Sequence, residues 1–349
     1  MVGAAAVAVE VAVVVVVGDS NSPKEKVMSK LNCISLRRSK LFTGSLALSC
    51  LLLTGVLTRV GAQTTNAARG TGFATAQEAV DALVAAAEQY DEKSLGAILG
   101  PDSYDIIHTG EPVRDKEMAA EFATQVRTKQ SLANDSKQRG RMILNVGSDD
   151  WPFPIPIVNS GGKWYFDTTV GHAEILLRRI GRNELDAIEI CRGFVEAQHE
   201  YALAMSGESG VAQYAQRIIS TPGKKDGLAW QTSDGTWEGP IGENVAKAIA
   251  RGYTSRSEPY RGYFFQVLKG QGPAAPLGQL DFVVKGVMIG GFALIAVPAQ
   301  YRNTGVKTFI VSHDGVVYEK DLGPNTLDIA RRIELFNPDK TWTPVLEDR

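Results

Sequence analysis

Histidines are the first side chains to consider for chemistry, because an imidazole can act as a general base and is a frequent metal ligand. The chain contains four, at His108, His172, His199 and His313. No two of them have the spacing of a zinc motif such as His-Glu-x-x-His. Glu196, His199 and Glu200 would share one helical face and could bind a metal weakly, but ordinary charge pairing on an exposed helix explains them better. We therefore expect no metal and no cofactor.

Nucleophilic residues also give no signature. The sequence has no Gly-x-Ser-x-Gly elbow of an α/β-hydrolase and no Gly-x-x-x-x-Gly-Lys-Ser/Thr phosphate loop. Cys191 lies in an apolar helical stripe, where a cysteine usually serves as a small hydrophobic residue. Asp149, Asp150 and Asp167 could be the paired acids of a glycosidase, although a turn and a strand end also account for them. The sequence therefore predicts no catalytic residue.

Aromatic residues between positions 151 and 166 are the best binding candidates. Trp151 and Phe153 precede a Gly-Gly turn, and Trp164 follows it. Such a platform would suit a sugar or a peptide, but a concave sheet covered by a helix needs the same aromatics as core.

Charged residues follow at the expected junction between two domains. Arg178, Arg179 and Arg182 could bind an anion or could form a solvated helix end. Asp167 and His172 lie close by in sequence, so the junction is also a candidate for an unrecognised hydrolytic site. The predicted ligand-binding residues are Trp151, Phe153, Trp164, Asp167, His172 and Arg178.

Residues 73–170 are predicted to form an α+β domain, with helices followed by a curved antiparallel sheet. Thr75 and Glu78 form a capping-box pattern at the start of its first helix. Proline at every second position of the strand 151–157 requires an edge or a bulge. This order resembles the cystatin-like and nuclear-transport-factor-like cone folds. The other predicted elements are helices at 91–99 and 115–130 and strands at 141–146 and 163–167.

Residues 171–349 are predicted to form a second α+β domain, in which a long helix precedes an antiparallel sheet. An Asp314-Gly315 turn between two β-branched runs predicts a hairpin over 308–321. The long helix is expected from Asn183 to Tyr201, with an apolar stripe of Leu185, Ile188, Cys191, Val195 and Tyr201. Shorter helices are expected at 214–219 and 241–250, and strands at 228–230, 262–268 and 291–298.

The N-terminal 62 residues have the pattern of an export signal. Basic residues at positions 30–40 precede the apolar run 41–57, and Val60-Gly-Ala62 offers the small residues that a signal peptidase reads. We predict cleavage after Ala62 and a short linker at 63–72. An uncleaved anchor is the alternative, because the apolar run is at the short limit for a membrane span.

Two features of this leader leave alternatives open. Residues 1–27 are an Ala/Val-rich extension, which we interpret as a start codon assigned too early, with Met28 as the true start. A genuine first hydrophobic segment is the other interpretation. Cys50 follows Ala47-Leu-Ser49 as in a lipoprotein box, but the apolar run continues beyond it, which argues against lipidation.

Charge excludes one class of partner. The chain has 37 basic and 39 acidic residues, and removing the basic leader would make the remainder more acidic. A nucleic-acid-binding protein needs a basic surface to displace counterions, so we expect no nucleic-acid partner.

The second half resembles the globular domain of bacterial type IV pilins. Its matching segments are Asn183-Glu184 with Ala187-Ile188, Ala197-Gln-His-Glu-Tyr201, Gly262-Tyr263 with Phe265, and the hairpin 304–317. The resemblance implies a long helix packed on an antiparallel sheet. A pilin's helix continues from a membrane helix, whereas this one follows a separate domain, so polymerisation into a pilus is not expected.

Six further segments occur in a characteristic order along the chain. They are Trp151-Pro-Phe-Pro-Ile-Pro156, Gly162-Lys-Trp-Tyr-Phe-Asp167, Arg178-Arg-Ile-Gly-Arg-Asn-Glu184, Gln198-His-Glu-Tyr201, Asp226-Gly227 and Val317-Tyr-Glu-Lys-Asp-Leu-Gly323. With these segments most of the chain resembles a family of secreted bacterial proteins known only as a domain of unknown function, number twenty-nine fifty. The resemblance implies secretion and specifies no activity.

We therefore predict an exported, non-enzymatic interaction or binding module of the cell envelope, with a protein or polysaccharide partner and no stable membrane span after leader cleavage. A cell-envelope hydrolase at the domain junction and a small-ligand binder using the first domain are the alternatives. A polar cleft holding His172 beside a carboxylate would favour the enzyme. A closed, apolar first domain would favour the interaction module.

Overall fold

The computed structural model describes residues 69–136, 138–206, 211–245 and 258–346. The predicted leader, its cleavage site after Ala62, Cys50 and most of the linker lie outside the described residues. Among the helices that are described, none combines the length and the apolar character that a membrane span requires.

The three helices predicted at the start of the first domain are confirmed, with bounds that differ by a few residues. The described helices are α1 (Ala76–Glu88), α2 (Glu92–Leu99), α3 (Tyr104–Ile107), α4 (Pro112–Thr128), α5 (Thr168–Met205) and α6 (Thr326–Ala330), with a 3₁₀ turn at Pro101–Ser103. Thr75 Oγ1 accepts a hydrogen bond from Glu78 N, and Glu78 Oε2 accepts one from Ala74 N, so α1 begins at the predicted capping box. Asp91 caps α2 through Ser94 N.

Strands make up the rest of an α+β fold. They are β1 (Gln130–Asn134), β2 (Arg141–Val146), β3 (Trp151–Pro152), β4 (Ile157–Ser160), β5 (Lys163–Phe166), β6 (Arg217–Ile219), β7 (Gly227–Gln231), β8 (Trp237–Glu238), β9 (Tyr263–Leu268), β10 (Gly270–Gln271), β11 (Leu280–Asp281), β12 (Val283–Val284), β13 (Val287–Met288), β14 (Ala293–Pro298), β15 (Lys307–Ser312), β16 (Val317–Asp321) and β17 (Thr343–Pro344).

Two five-stranded sheets dominate. The first has the order β1-β2-β4-β5, with β3 also paired to β2, and the second has the order β17-β16-β15-β14-β9. All of their pairs are antiparallel, and the predicted hairpin is confirmed as β15–β16 around Gly315, whose φ is +75°. A smaller sheet, β6-β7-β8, includes one parallel pair. The predicted helix at 214–219 is wrong, because residues 217–219 pair with β7 instead.

The proline-rich segment 151–157 is not one strand. β3 pairs with Asn145 and Val146 of β2, and β4 pairs with Arg141 and Met142. Between them Phe153 N still donates to Leu144 O at 2.7 Å, and residues 154–156 do not pair with β2. Both predicted solutions are therefore present, since β3 pairs on one side only and the chain bulges between β3 and β4, and proline has no N–H to donate to a neighbouring strand.

Helix α1 lies at the centre of the first core. Its buried face packs with α2, α4 and the first sheet in one apolar cluster, whose fully buried members include Ala79, Val80, Leu144, Ile155 and Ile157. Gly171 of α5 approaches this cluster so closely that a Cβ would lie 2.7 Å from Ile155 Cα. The start of α5 therefore depends on glycine for its contact with the bulge.

Helix α5 is longer than predicted. It begins at Thr168 rather than Asn183, so the segment 171–182, expected to be a connection, is helical. Its buried face carries Ala187, Ile190, Cys191 and Phe194, whereas Leu185, predicted in the apolar stripe, is 55% exposed. The boundary at residue 170 falls inside this helix, and the division into two domains stays a prediction. Of the helix predicted at 241–250, residues 242–245 are helical and the remainder lies outside the described residues.

A buried polar cluster joins residues on the two sides of that boundary. Glu111, 2% exposed, accepts hydrogen bonds from Arg261 N and Gly262 N. Asp186 lies 3.3 Å from Arg114 Nη2 and 2.9 Å from Arg261 Nη1. Burial would lower the pKa of Arg261, but the charge of Asp186 raises it overall. We call Glu111, Arg114, Asp186 and Arg261 the central polar cluster.

Candidate functional site

An open groove on the first sheet is lined by two of the predicted binding residues, Phe153 and Arg178. It has a volume of about 460 Å³. Its lining residues are Asp135, Gln138, Arg141, Ile143, Pro152, Phe153, Pro154 and Arg178. They come from the β1–β2 turn, β2, the proline bulge and α5. We call this feature the Arg141–Arg178 groove.

Arg178 is held at one side of the groove by three contacts. Its Nε donates to Glu174 Oε1 at 2.7 Å, its Nη1 donates to Pro152 O at 3.2 Å, and its Cζ lies 4.8 Å from the centre of the Trp151 ring. These contacts use two of the three guanidinium nitrogens. Within the described residues Nη2 has no hydrogen-bond partner, so it can donate to a ligand.

Arg141 occupies the other side. Its Nη1 donates to Gln138 Oε1 at 3.0 Å, and its Nε lies 3.2 Å from Asp135 Oδ2. Nε is buried and lacks hydrogen-bond geometry with any described group, so this contact is an ion pair only. Each guanidinium is therefore paired with one carboxylate, Arg141 with Asp135 inside the groove and Arg178 with Glu174, which lies on α5 beside the lining.

Phe153 connects the groove with the core. Its ring centre lies 5.0 Å from that of Phe122 and 6.4 Å from that of Phe166, which it meets edge-on. Pro152 and Pro154 flank it along the groove. Phe153 therefore packs against the first core and also lines the groove, and binding by the aromatic residues stays a prediction.

The other predicted ligand-binding residues lie elsewhere. Trp164 is part of β5, where its backbone pairs with Phe73 and its side chain packs against the first core. Asp167 is the residue before α5 and makes a backbone hydrogen bond to Pro156 O at 2.9 Å. Phe153 and Arg178 therefore line the groove, Trp151 contacts Arg178 without being a lining residue, and Trp164 and Asp167 do not line it.

His172 is paired with a carboxylate that sequence reasoning missed. Its Nε2 lies 2.8 Å and 2.9 Å from the two oxygens of Asp105 on α3, and both side chains are about one-third exposed. Arg179 donates to the backbone oxygens of Asp105 and Ile106 at 2.6 Å and 2.9 Å. Burial lowers the pKa of Arg179, although nearby acidic groups act in the opposite direction. Asp105 therefore lies on a segment that His172 and Arg179, both on α5, hold by several hydrogen bonds.

Arg141, Asp135 and Gln138 are the groove residues that the sequence interpretation omitted. The sequence did contain a signal for Arg141, namely the alternation of side chains along β2. Because Leu144 and Val146 are buried, Arg141 and Ile143 lie on the opposite face of the strand. Sequence alone does not show that the proline bulge and Arg178 lie beside that face.

A second groove, of about 430 Å³, provides a comparison. It is lined by Glu88, Ala120, Ala123, Thr124, Arg127 and Thr128. Arg127 Nε donates to Glu88 Oε1 at 2.7 Å. This groove contains an Arg–Glu pair without an aromatic lining residue. Across the described part of the chain, no three His, Cys, Asp or Glu side chains are grouped as a metal site requires.

Comparison with known families shows where the chain belongs. The model of a family described as Protein of unknown function (DUF2950) matches residues 70–345. The chain is a DUF2950 protein. The match includes every residue of the Arg141–Arg178 groove and the central polar cluster, and it confirms the family expected from the sequence. Searches of curated proteins and of solved structures found no match, so the pilin resemblance has no support from them.

Proposed function

We propose that this DUF2950 protein is a non-enzymatic binding module of the cell envelope, which holds an uncharged polysaccharide in the Arg141–Arg178 groove. The observation that carries the proposal is that both arginines of the groove are already paired, Arg141 with Asp135 and Arg178 with Glu174, which lies beside the lining. An anionic polymer would gain little from such a surface. Hydroxyl groups can both donate and accept, so they suit a lining that offers guanidinium, amide and carboxylate groups together.

The apolar part of the lining supports the same class of ligand. Phe153, Pro152, Pro154 and Ile143 present apolar surface beside the polar groups. The C–H faces of sugar rings pack on such surfaces, and a few placed polar groups fix their orientation. An open groove also suits a polymer that continues beyond it in both directions.

The interior of the first core argues against a small-ligand site there. Its largest fully buried side chains include Leu144, Ile155 and Ile157, which pack in one apolar cluster with α1. A filled, apolar interior was the condition that favoured an interaction module. Binding is therefore assigned to the surface.

The proposed location rests on the leader. A basic region, the apolar run 41–57 and the small residues ending at Ala62 together suit cleavage by a signal peptidase. The protein would then be periplasmic or secreted and would begin at Gln63. Such a location would bring it to the polysaccharides of the envelope.

Affinity electrophoresis tests the proposal. Native gels cast with dextran, a β-1,3-glucan, hydroxyethylcellulose or sonicated cell-wall sacculi should retard the protein in at least one case. Arg178→Ala should weaken the apparent affinity about tenfold, because hydrogen bonds from charged groups contribute about 1.5–3 kcal/mol. Gln138→Ala should weaken it less. Arg127→Ala, which alters the comparison groove, is the matched control and should behave like the wild type.

Migration that no polymer retards, or retardation that Arg178→Ala leaves unchanged, would refute the proposal. Folding of each variant is checked by circular dichroism, because Arg178 also contacts Trp151 and Pro152.

The His172–Asp105 pair favours a second candidate function, a hydrolase. An imidazole oriented by a carboxylate can act as a general base. The pair also has a structural explanation, because it links α3 to α5 beside the bonds that Arg179 makes to the same segment. Zymography on gels that contain sacculi distinguishes a catalytic from a structural role of this pair. If the wild type clears the gel and His172→Gln does not, the protein is a hydrolase and binding is not its main function.

A further inference from the structure

One exposed ridge of α5 has a leucine at the same distance on each side of Gly181, with an acidic residue toward one end and a basic residue toward the other. Counting from Gly181, apolar residues lie four positions away on each side, at Leu177 and Leu185. Seven positions away lie Glu174 and Ile188, and eleven positions away lie Val170 and Arg192. Offsets of four, seven and eleven follow one face of an α-helix. We call these seven residues the α5 ridge.

The ridge is open to solvent where it is most apolar. Leu177 is 65% exposed, Leu185 is 55% exposed and Val170 is 48% exposed. A Cβ built on Gly181 would have no atom within 4 Å, so the centre of the ridge is also uncovered. Large apolar side chains aligned on one helix face and left in water are typical of an interaction surface.

We propose that the α5 ridge binds a second copy of this chain, with the two helices antiparallel and crossing at Gly181. A two-fold axis at that point would place Leu177 against Leu185 of the second copy, and Leu185 against Leu177 of the second copy. Isologous interfaces of this kind require a surface that is complementary to itself. The absence of a side chain at Gly181 allows the two backbones to approach closely.

Charge decides the direction of the second helix. Glu174 lies near the N-terminal end of the ridge and Arg192 near the C-terminal end, and both are exposed. An antiparallel partner sets each Glu174 opposite Ile188 of the other copy, about one helical turn from that copy's Arg192. A parallel partner would instead set Glu174 against Glu174 and Arg192 against Arg192, which is repulsive. Glu174 Oε1 accepts a hydrogen bond from Arg178 Nε. Among the described residues Glu174 Oε2 has no hydrogen-bond partner.

Sedimentation velocity of the purified full-length protein over a hundredfold concentration range tests the proposal. The mass-weighted sedimentation coefficient should rise with concentration from the monomer value toward that of a dimer. Leu177→Glu should raise the dissociation constant at least about tenfold, because it sets a carboxylate against Leu185 of the other copy. Leu203→Glu is the matched control, since Leu203 is 82% exposed on the same helix and lies outside the ridge.

A charge exchange tests the direction. Arg192→Glu should weaken the dimer, and adding Glu174→Arg should restore it toward the wild-type constant. A monomer at every concentration, a dimer that Leu177→Glu does not weaken, or a failure of the double variant to restore the dimer would each overturn the proposal. Because the changed residues are exposed, unchanged thermal unfolding confirms that the variants are folded. This proposal does not depend on polysaccharide binding.

Discussion

Glu111 is the N-cap residue of α4. Replacing it by alanine should destabilise the protein more than replacing any exposed residue of α4. The Glu111 carboxylate is 2% exposed and accepts hydrogen bonds from two backbone N–H groups, those of Arg261 and Gly262. Alanine would leave both donors without this acceptor. A hydrogen bond to a charged group contributes about 1.5–3 kcal/mol, so the gross loss is about 3–6 kcal/mol. Water entering the vacated space would offset part of it, and we expect a net loss of about 3 kcal/mol.

Urea unfolding followed by both circular dichroism and tryptophan fluorescence measures this loss. Glu111→Gln keeps one carbonyl acceptor and should lose about half as much. Lys116→Ala, at an exposed position of α4, is the control and should stay within about 0.5 kcal/mol of the wild type. The thermal midpoint of Glu111→Ala should fall by about 6–12 °C.

A loss below about 1 kcal/mol for Glu111→Ala would contradict this expectation, because it would hardly exceed the roughly 0.5 kcal/mol that substitutions of exposed residues cost. The two probes also test the predicted division at residue 170. If Glu111 joins the two sides into one cooperative unit, both probes should report one transition in the wild type. Two separate transitions would show that the two predicted domains unfold independently.

Three further predictions follow from local geometry. Gly171→Ala would place a Cβ 2.7 Å from backbone atoms and should lower the free energy of unfolding by at least about 2 kcal/mol. At Gly181 a Cβ has free space, so Gly181→Ala should leave that free energy unchanged or raise it by up to about 1 kcal/mol. Urea unfolding measures both. Burial tends to raise the pKa of Asp226, but hydrogen bonds from Thr221 lower it overall. Asp226→Asn should therefore reduce stability at pH 7, and the difference from wild type should shrink as the pH falls from about 4 through the lowered pKa. Burial raises the pKa of Cys191 to about 12, so peptide mapping should find it unlabelled by iodoacetamide in the native protein and labelled in urea.

Local patterns in the sequence were sufficient for many elements. The capping box at Thr75 and Glu78 specified the start of α1, and the Asp-Gly turn specified the β15–β16 hairpin. Both signals act within a few residues, so they need no information about the rest of the fold. An edge or a bulge at 151–157 was predictable for the same reason, since the missing N–H of proline is a local property.

Predictions failed where distant contacts decide the structure. Leu185 belonged to the expected apolar stripe but faces solvent, because the second sheet packs against the face that contains Ile190 and Phe194. Residues 217–219 form a strand because β7 is available as a partner. Likewise α5 begins at Thr168, where Gly171 allows it to contact the bulge. None of these partners can be located from the segment itself.

The candidate site was predictable only in part. Trp151, Phe153 and Arg178 were chosen from the sequence for their chemistry, and they meet at the groove. Arg141 was omitted, and Asp105 was not foreseen as the partner of His172. Side chains from separate elements define both arrangements, so spacing along the chain could not reveal them.

The central claim is that the Arg141–Arg178 groove holds a neutral polysaccharide. The most direct measurement is amide chemical-shift mapping of the protein with short oligomers of the polymer that retards it most in the native gel. We expect shifts concentrated at residues 135–154 and near Arg178, and none at the comparison groove around Arg127. Shifts at Arg127 or around His172 and Asp105, with none at residues 135–154, would contradict it.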